Sequence, residues 1–88
     1  ADWISGDRGD DILRGGPGPD TFVTRDGVGT DRVLDFSVAE GDRVLVEPGV
    51  AWELRQEGDD AVIVTQGGKL VLVGVRADTL PREAIVRR

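Results

Sequence analysis

A nine-residue spacing is the most restrictive feature of this chain. The phrase at residues 15–23, GGPGPDTFV, has a near copy nine residues upstream, GDRGDDILR at 6–14, and residues 1–5, ADWIS, fit the tail of a third. In this alignment Asp2, Asp11 and Asp20 fall nine apart, and Asp31 and Asp42 follow at intervals of eleven. An apolar residue lies two places after each: Ile4, Leu13, Phe22, Val33 and Val44. Only 39% of the chain is hydrophobic, so five matches in five mark a register rather than chance.

A period of the form GGxGxDxUx, with U a large apolar residue, reads as one turn of a calcium-binding parallel β-helix. Six residues make a turn and three a short strand. Glycine is expected at the first, second and fourth places, where the backbone takes positive φ and passes close to an ion. The aspartate aims at that ion. Side chains alternate along a strand, so the residue two places on faces inward and the U series stacks into a core. Calcium is a hard cation that takes six to eight oxygens, mixing carboxylates with carbonyls. With no Cys and no His in the chain, zinc, copper and iron–sulfur sites are excluded. The ligand spacing of an EF-hand occurs nowhere.

On these residues the chain resembles the RTX family, the haemolysin-type calcium-binding repeats found near the C-termini of bacterial proteins exported by type I secretion. The resemblance is strongest over residues 6–42. It implies a flattened β-roll in which successive turns alternate sides, so that each calcium sits between turn n and turn n+2. It further implies one site from the Asp7 and Gly9 carbonyls with Asp11, facing the Asp26 and Val28 carbonyls with Asp31. A second would join the Gly16 and Gly18 carbonyls and Asp20 to Asp35 and Asp42. A third, incomplete, would pair Asp2 with the Gly15 and Pro17 carbonyls and Asp20. Two to three Ca2+ ions are therefore expected. Asp7 and Asp26 replace glycines of the pattern, and Pro17 and Pro19 stiffen one turn.

Charge follows the repeat. Residues 1–42 hold ten acids and four bases and residues 43–88 seven of each, so the net charge of −6 resides in the repeat half. A surface of this sign excludes nucleic acid as a partner. Crowded carboxylates repel one another until a divalent cation neutralises them, which predicts metal dependence. Eighty-eight residues make one small domain near the limit of what an apolar core holds unaided, and no cysteine is present to staple it. No apolar run is long enough to cross a membrane. The N-terminus has no signal-like pattern, in keeping with a route that reads the C-terminus.

Beyond the repeats the chain reads as strands and tight turns. Strands are expected at 21–24, 32–36 and 43–47, then at 50–56, 61–66 and 69–75, with a hairpin loop at Gly67 and Gly68. The strand at 69–75 is apolar on both faces and should be central. Asp78 or Thr79 is expected to cap a helical turn over 80–84, and Ile85 with Val86 to form a final edge. Glu83 to Val86, an acid followed by apolar residues, resembles the ending of type I substrates, with Arg87 and Arg88 added.

The fold class expected is all-β: a short parallel β-roll (1–42) closed by a C-terminal antiparallel β cap (43–88), folding as one unit. Open sheet ends recruit other strands unless covered, which gives the cap its task. The expected function is a non-catalytic calcium-binding module that folds on extracellular calcium and assists secretion of a bacterial parent protein. Its expected partners are the rest of that parent and the export machinery, outside the cell or at its surface. The alternative is a carbohydrate-binding module of a polysaccharide-modifying enzyme, for which Trp3 and Trp52 are the available aromatics. The tripeptide Arg8-Gly9-Asp10 is absorbed by the repeat. The glycines lack the Lys and helix of a phosphate loop, and the carboxylates recur in register rather than as the isolated pair of a glycosidase.

Overall fold

The computed structural model describes residues 3–5, 9–24, 29–47, 49–81 and 84–87, and for Trp3, Ser5 and Arg87 the backbone alone. Nine strands succeed one another: β1 (Trp3–Ser5), β2 (Ile12–Leu13), β3 (Thr21–Thr24), β4 (Gly29–Val33), β5 (Arg43–Val46), β6 (Trp52–Glu57), β7 (Asp60–Thr65), β8 (Gly68–Leu72) and β9 (Ile85–Arg87). They form two sheets, ordered β1-β3-β5-β9 and β2-β4-β8-β7-β6. The first five strands thus alternate between sheets, as a roll requires, and among them each pairs with the one two turns away.

The spacing of the aspartates sets this register. Trp3 pairs with Thr21, Ile12 with Arg32 and Thr21 with Arg43. These are separations of 18, 20 and 22 residues, the sums of two successive repeat intervals. All three pairings are parallel, so side chains of equal repeat position stack. Ile4, Phe22, Val44 and Ile85 form one row, and Leu13, Val33, Leu72 and Ala61 the other. Phe22, Val33, Val44, Leu72 and Ala61 are fully buried, Leu13 nearly so, and Ile4 and Ile85 pack against them.

Strand pairing runs across residues 42 and 43 without interruption. β5 lies parallel to β3, β8 parallel to β4 and β9 parallel to β5. Only β7 and β6 enter by antiparallel pairing, through hairpins onto β8. The non-repeating half therefore continues both parallel sheets, one by β5 and β9 and the other by β8, onto which the hairpin strands β7 and β6 are added. β8 is central, between β4 and β7, as its two apolar faces imply.

Two local expectations are corrected, and a third gains a neighbouring turn. The strand expected at 32–36 is Gly29–Val33; the chain turns after it because Asp35 is drawn to the backbone of an earlier turn, while Phe36 buries against Phe22 at a ring separation of 6.0 Å. The hairpin loop is Gln66 and Gly67, since Gly68 already pairs with Thr65. Ahead of the helical turn expected at 80–84, in which Ala84 is 3-10 and donates its N–H to the Pro81 carbonyl at 3.0 Å while residues 82 and 83 lie outside the described residues, stands a further 3-10 turn at Ala77–Thr79. No side chain caps it. The Thr79 hydroxyl donates instead to the Arg76 carbonyl at 2.7 Å, and Leu80 is extended, as a residue before proline prefers.

Candidate metal centre

The turn at 15–20 shows why the repeat has its composition. Gly16 and Gly18 have φ of +75° and +90°, a region that side chains with a Cβ rarely enter. Gly15 is different. Its φ is not positive, and it is glycine because a Cβ there would lie inside the Asp20 carboxylate, 2.8 Å from Cγ. The carboxylate folds back over its own turn, and Asp20 is 1% exposed. The expectation of positive φ at the first place is thus replaced by one of close approach.

In the second sheet, the pairing of β2 with β4 sets Asp11 opposite Asp31. Asp31 Oδ1 accepts the Asp11 N–H at 3.1 Å. Asp31 is 2% exposed, and burial holds its carboxyl above the ordinary carboxylate value; the Asp11 N–H acts against this, and the nearby Asp11 and Asp10 carboxylates add to it. Asp11 Oδ2 is buried and has no hydrogen-bond donor among the described residues. Turns 9 and 29 also approach closely, since a Cβ on Gly29 would stand 2.6 Å from the Gly9 carbonyl oxygen. Asp10, which the sequence reading passed over, accepts the Thr30 N–H at 2.9 Å.

The exit segment behaves otherwise. Asp35 accepts the Gly15 and Gly16 N–H groups, one on each oxygen, at 2.9 and 2.8 Å. These two amides hold its carboxyl below the ordinary value, against a smaller effect of burial. Asp42, 3% exposed, accepts the Asp20 N–H at 2.9 Å and the Ser37 N–H at 2.8 Å. Glu40 accepts the Gly18 N–H at 3.0 Å. It was not expected from the sequence, yet it lies 22 residues after Gly18, the same interval that separates Asp42 from Asp20.

Gly9, Asp11, Gly15, Gly16, Pro17, Gly18, Asp20, Asp31, Asp35 and Asp42 are therefore brought to the turns of one roll, whereas Asp2, Asp7, Asp26 and Val28 lie outside the described residues. A hard cation fits the Asp11–Asp31 column. Two carboxylates face one another there, and a buried oxygen lacks a hydrogen-bond donor among the described residues. No three acidic groups converge on one point among the described residues, so carbonyls would have to complete a shell of six to eight. Asp35 and Asp42 fit a cation less well, because each oxygen already accepts an N–H. Trp52 is half-buried and packs against the core.

No protein-family model matches the chain, and no curated protein matches it in sequence. Among solved structures, the extracellular lipase LipA from Serratia marcescens is similar at a TM-score of 0.77 and 22% identity. The match covers 96% of this chain and 17% of the lipase chain. It establishes the fold. The described residues include no helix long and apolar enough to cross a membrane.

Proposed function

We propose that this chain is a calcium-binding module of the RTX type, part of a bacterial protein exported by type I secretion, and that it folds as it binds calcium outside the cell. The observation that carries the reading is the Asp11–Asp31 column: two facing carboxylates, Asp31 buried and Asp11 Oδ2 without a donor among the described residues. Similarity of fold to part of an extracellular lipase agrees with it.

In this reading one ion is held by Asp11, Asp31 and the Gly9 carbonyl, together with the carbonyls of Asp7, Asp26 and Val28. A second is held by Asp2 and Asp20 with the carbonyls of Gly15 and Pro17. Calcium supplies positive charge where carboxylates would otherwise repel. The chain supplies the rest. Asp20 folds over Gly15, the parallel register aligns the acids, and burial of Phe22, Val33 and Val44 accompanies their alignment. Metal binding and folding then share one free energy. An ion held at about 100 times its Kd would add roughly 2.7 kcal/mol, a large share of the 5 to 15 kcal/mol or so typical of a domain. β6 to β9 cover the end of the roll, and the module itself has no catalytic role.

The test is calorimetry and circular dichroism of the chain with calcium and with chelator. Binding of at least one ion together with a gain of β structure is expected; a full β spectrum in chelator and no heat of binding would overturn the reading. Magnesium should substitute poorly, because it prefers compact octahedral geometry and dehydrates reluctantly.

A further inference from the structure

We infer that Asp35, Glu40 and Asp42 form an amide clamp: they hold the turn at 15–20 through its N–H groups, independently of metal, and Asp35 and Asp42 are not ligands of the cation. The inference rests on the calcium reading for the role of Asp11, Asp20 and Asp31, and separates the exit acids from them.

A complete accounting of one turn carries it. The hexapeptide GGPGPD has four N–H groups, because Pro17 and Pro19 have none. All four donate to carboxylates of the exit segment: Gly15 and Gly16 to Asp35, Gly18 to Glu40, and Asp20 to Asp42. The two prolines, departures from the repeat, thus fall at the positions where no acid is waiting. They also restrict φ, so the turn is shaped for the clamp before the exit segment arrives. The eleven-residue interval has a physical use here, since its two extra residues give the segment between Asp31 and Asp42 the length to carry acids to three points on one turn.

The chemistry of the exit acids differs from that of the column. A carboxylate with an amide hydrogen on each oxygen has replaced its water by fixed dipoles and needs no cation to complete its contacts. Asp35 and Asp42 are in that state; Asp11, with a buried oxygen lacking a donor, is not. Asp42 has a second task. By accepting the Ser37 N–H it closes its own loop, so the bond to Asp20 is made from a rigid support. The clamp therefore sets the register of β3 against β5 through bonds that contain no cation, and calcium is left to close the Asp11–Asp31 column.

The experiment uses the full chain with Asp35→Asn and Asp42→Asn together, and Asp31→Asn for comparison. Calcium chloride is titrated calorimetrically, and amide exchange is followed by NMR in saturating calcium. The clamp predicts the same number of bound ions and a Kd within about twofold of the parent, with Gly15, Gly16 and Asp20 amides exchanging about tenfold faster or more. Asp31→Asn should instead weaken calcium binding by about tenfold or more. Loss of an ion in the double variant, or unchanged exchange at those amides, would overturn the clamp. If the double variant does not fold, Asp35→Asn alone is read at Gly15 and Gly16 in the same way. A parent chain that binds no calcium would sink the calcium reading but not the clamp, which is then decided by amide exchange without metal.

Discussion

Across the parallel pairing of β4 with β8, Asp31 stands opposite Leu70. The column of acids that begins at Asp11 ends there on a side chain 1% exposed. Continuing it would have added a third carboxylate to a buried row. The next strand of the sheet comes instead from a segment without the repeat, and its inward residues are Leu70 and Leu72. The roll thus stops by a change of side chain within an unbroken register.

Because that register is unbroken, residues 1–42 should not fold alone. Phe22 and Val33 are fully buried only because Val44 and Leu72 lie beside them in the next strands. Loss of such neighbours costs each buried residue roughly 2 to 5 kcal/mol, more in sum than a small domain can spare. A peptide of residues 1–42 is expected to remain disordered in millimolar calcium by circular dichroism, whereas the full chain folds.

The metal-free chain should be most stable in weak acid. The folded-state carboxyl of Asp31 is raised above its ordinary value of 3.8, so its contribution is fully present below that value and is lost as pH rises through the folded one. Asp35 is lowered from 3.8, so its contribution is present above that value and is lost as pH falls through the folded one. Between the two, protonated Asp31 and ionised Asp35 both favour the fold. The β structure retained in chelator, read by circular dichroism, should therefore rise on acidification from neutral pH and fall again in stronger acid. Asp31→Asn should flatten the first arm alone.

Asp20 and Asp59 provide a matched comparison. Asp20 is buried at a turn between parallel strands, and Asp59 is exposed in the hairpin between β6 and β7. Asp20→Ala is expected to weaken calcium binding by about tenfold or more, while Asp59→Ala changes it by less than about twofold. A calorimetric titration in which Asp59→Ala proved the more harmful would contradict the assigned register.

Glycine replacements should separate close approach from backbone strain. Gly15→Ala puts a Cβ into the Asp20 carboxylate and should weaken calcium binding along with stability. Gly49 has φ of +83° and open space around its missing Cβ. Gly49→Ala should cost about 1 to 2 kcal/mol through the backbone alone, with calcium affinity unchanged. Urea denaturation and calorimetry on both variants would check this.

Much of the site was legible because a parallel roll translates linear spacing directly into stacking. The intervals of nine and eleven, with the pairing of turn n and turn n+2 that the resemblance implied, match the turns that meet, and the apolar residues two places after Asp11, Asp20, Asp31 and Asp42 are buried, with Ile4 partly so. Glu40 escaped notice because it is not an aspartate at the repeat position. It joins the site through the 22-residue offset, a relation visible only once Thr21 is known to pair with Arg43.

The sequence by itself determined the pitch of the roll, the acid columns and the inward rows, since each depends on local periodicity and the geometry of one turn. Tertiary structure decided what each acid does. Asp31 and Asp42 have the same repeat position, yet one faces a carboxylate whose buried oxygen lacks a donor and the other accepts two amides. It also decided that residues 43–88 continue both parallel sheets, because a strand's partner is chosen by the free edge it reaches and by the apolar row waiting there. Neither the edge nor the row is contained in the strand's own residues.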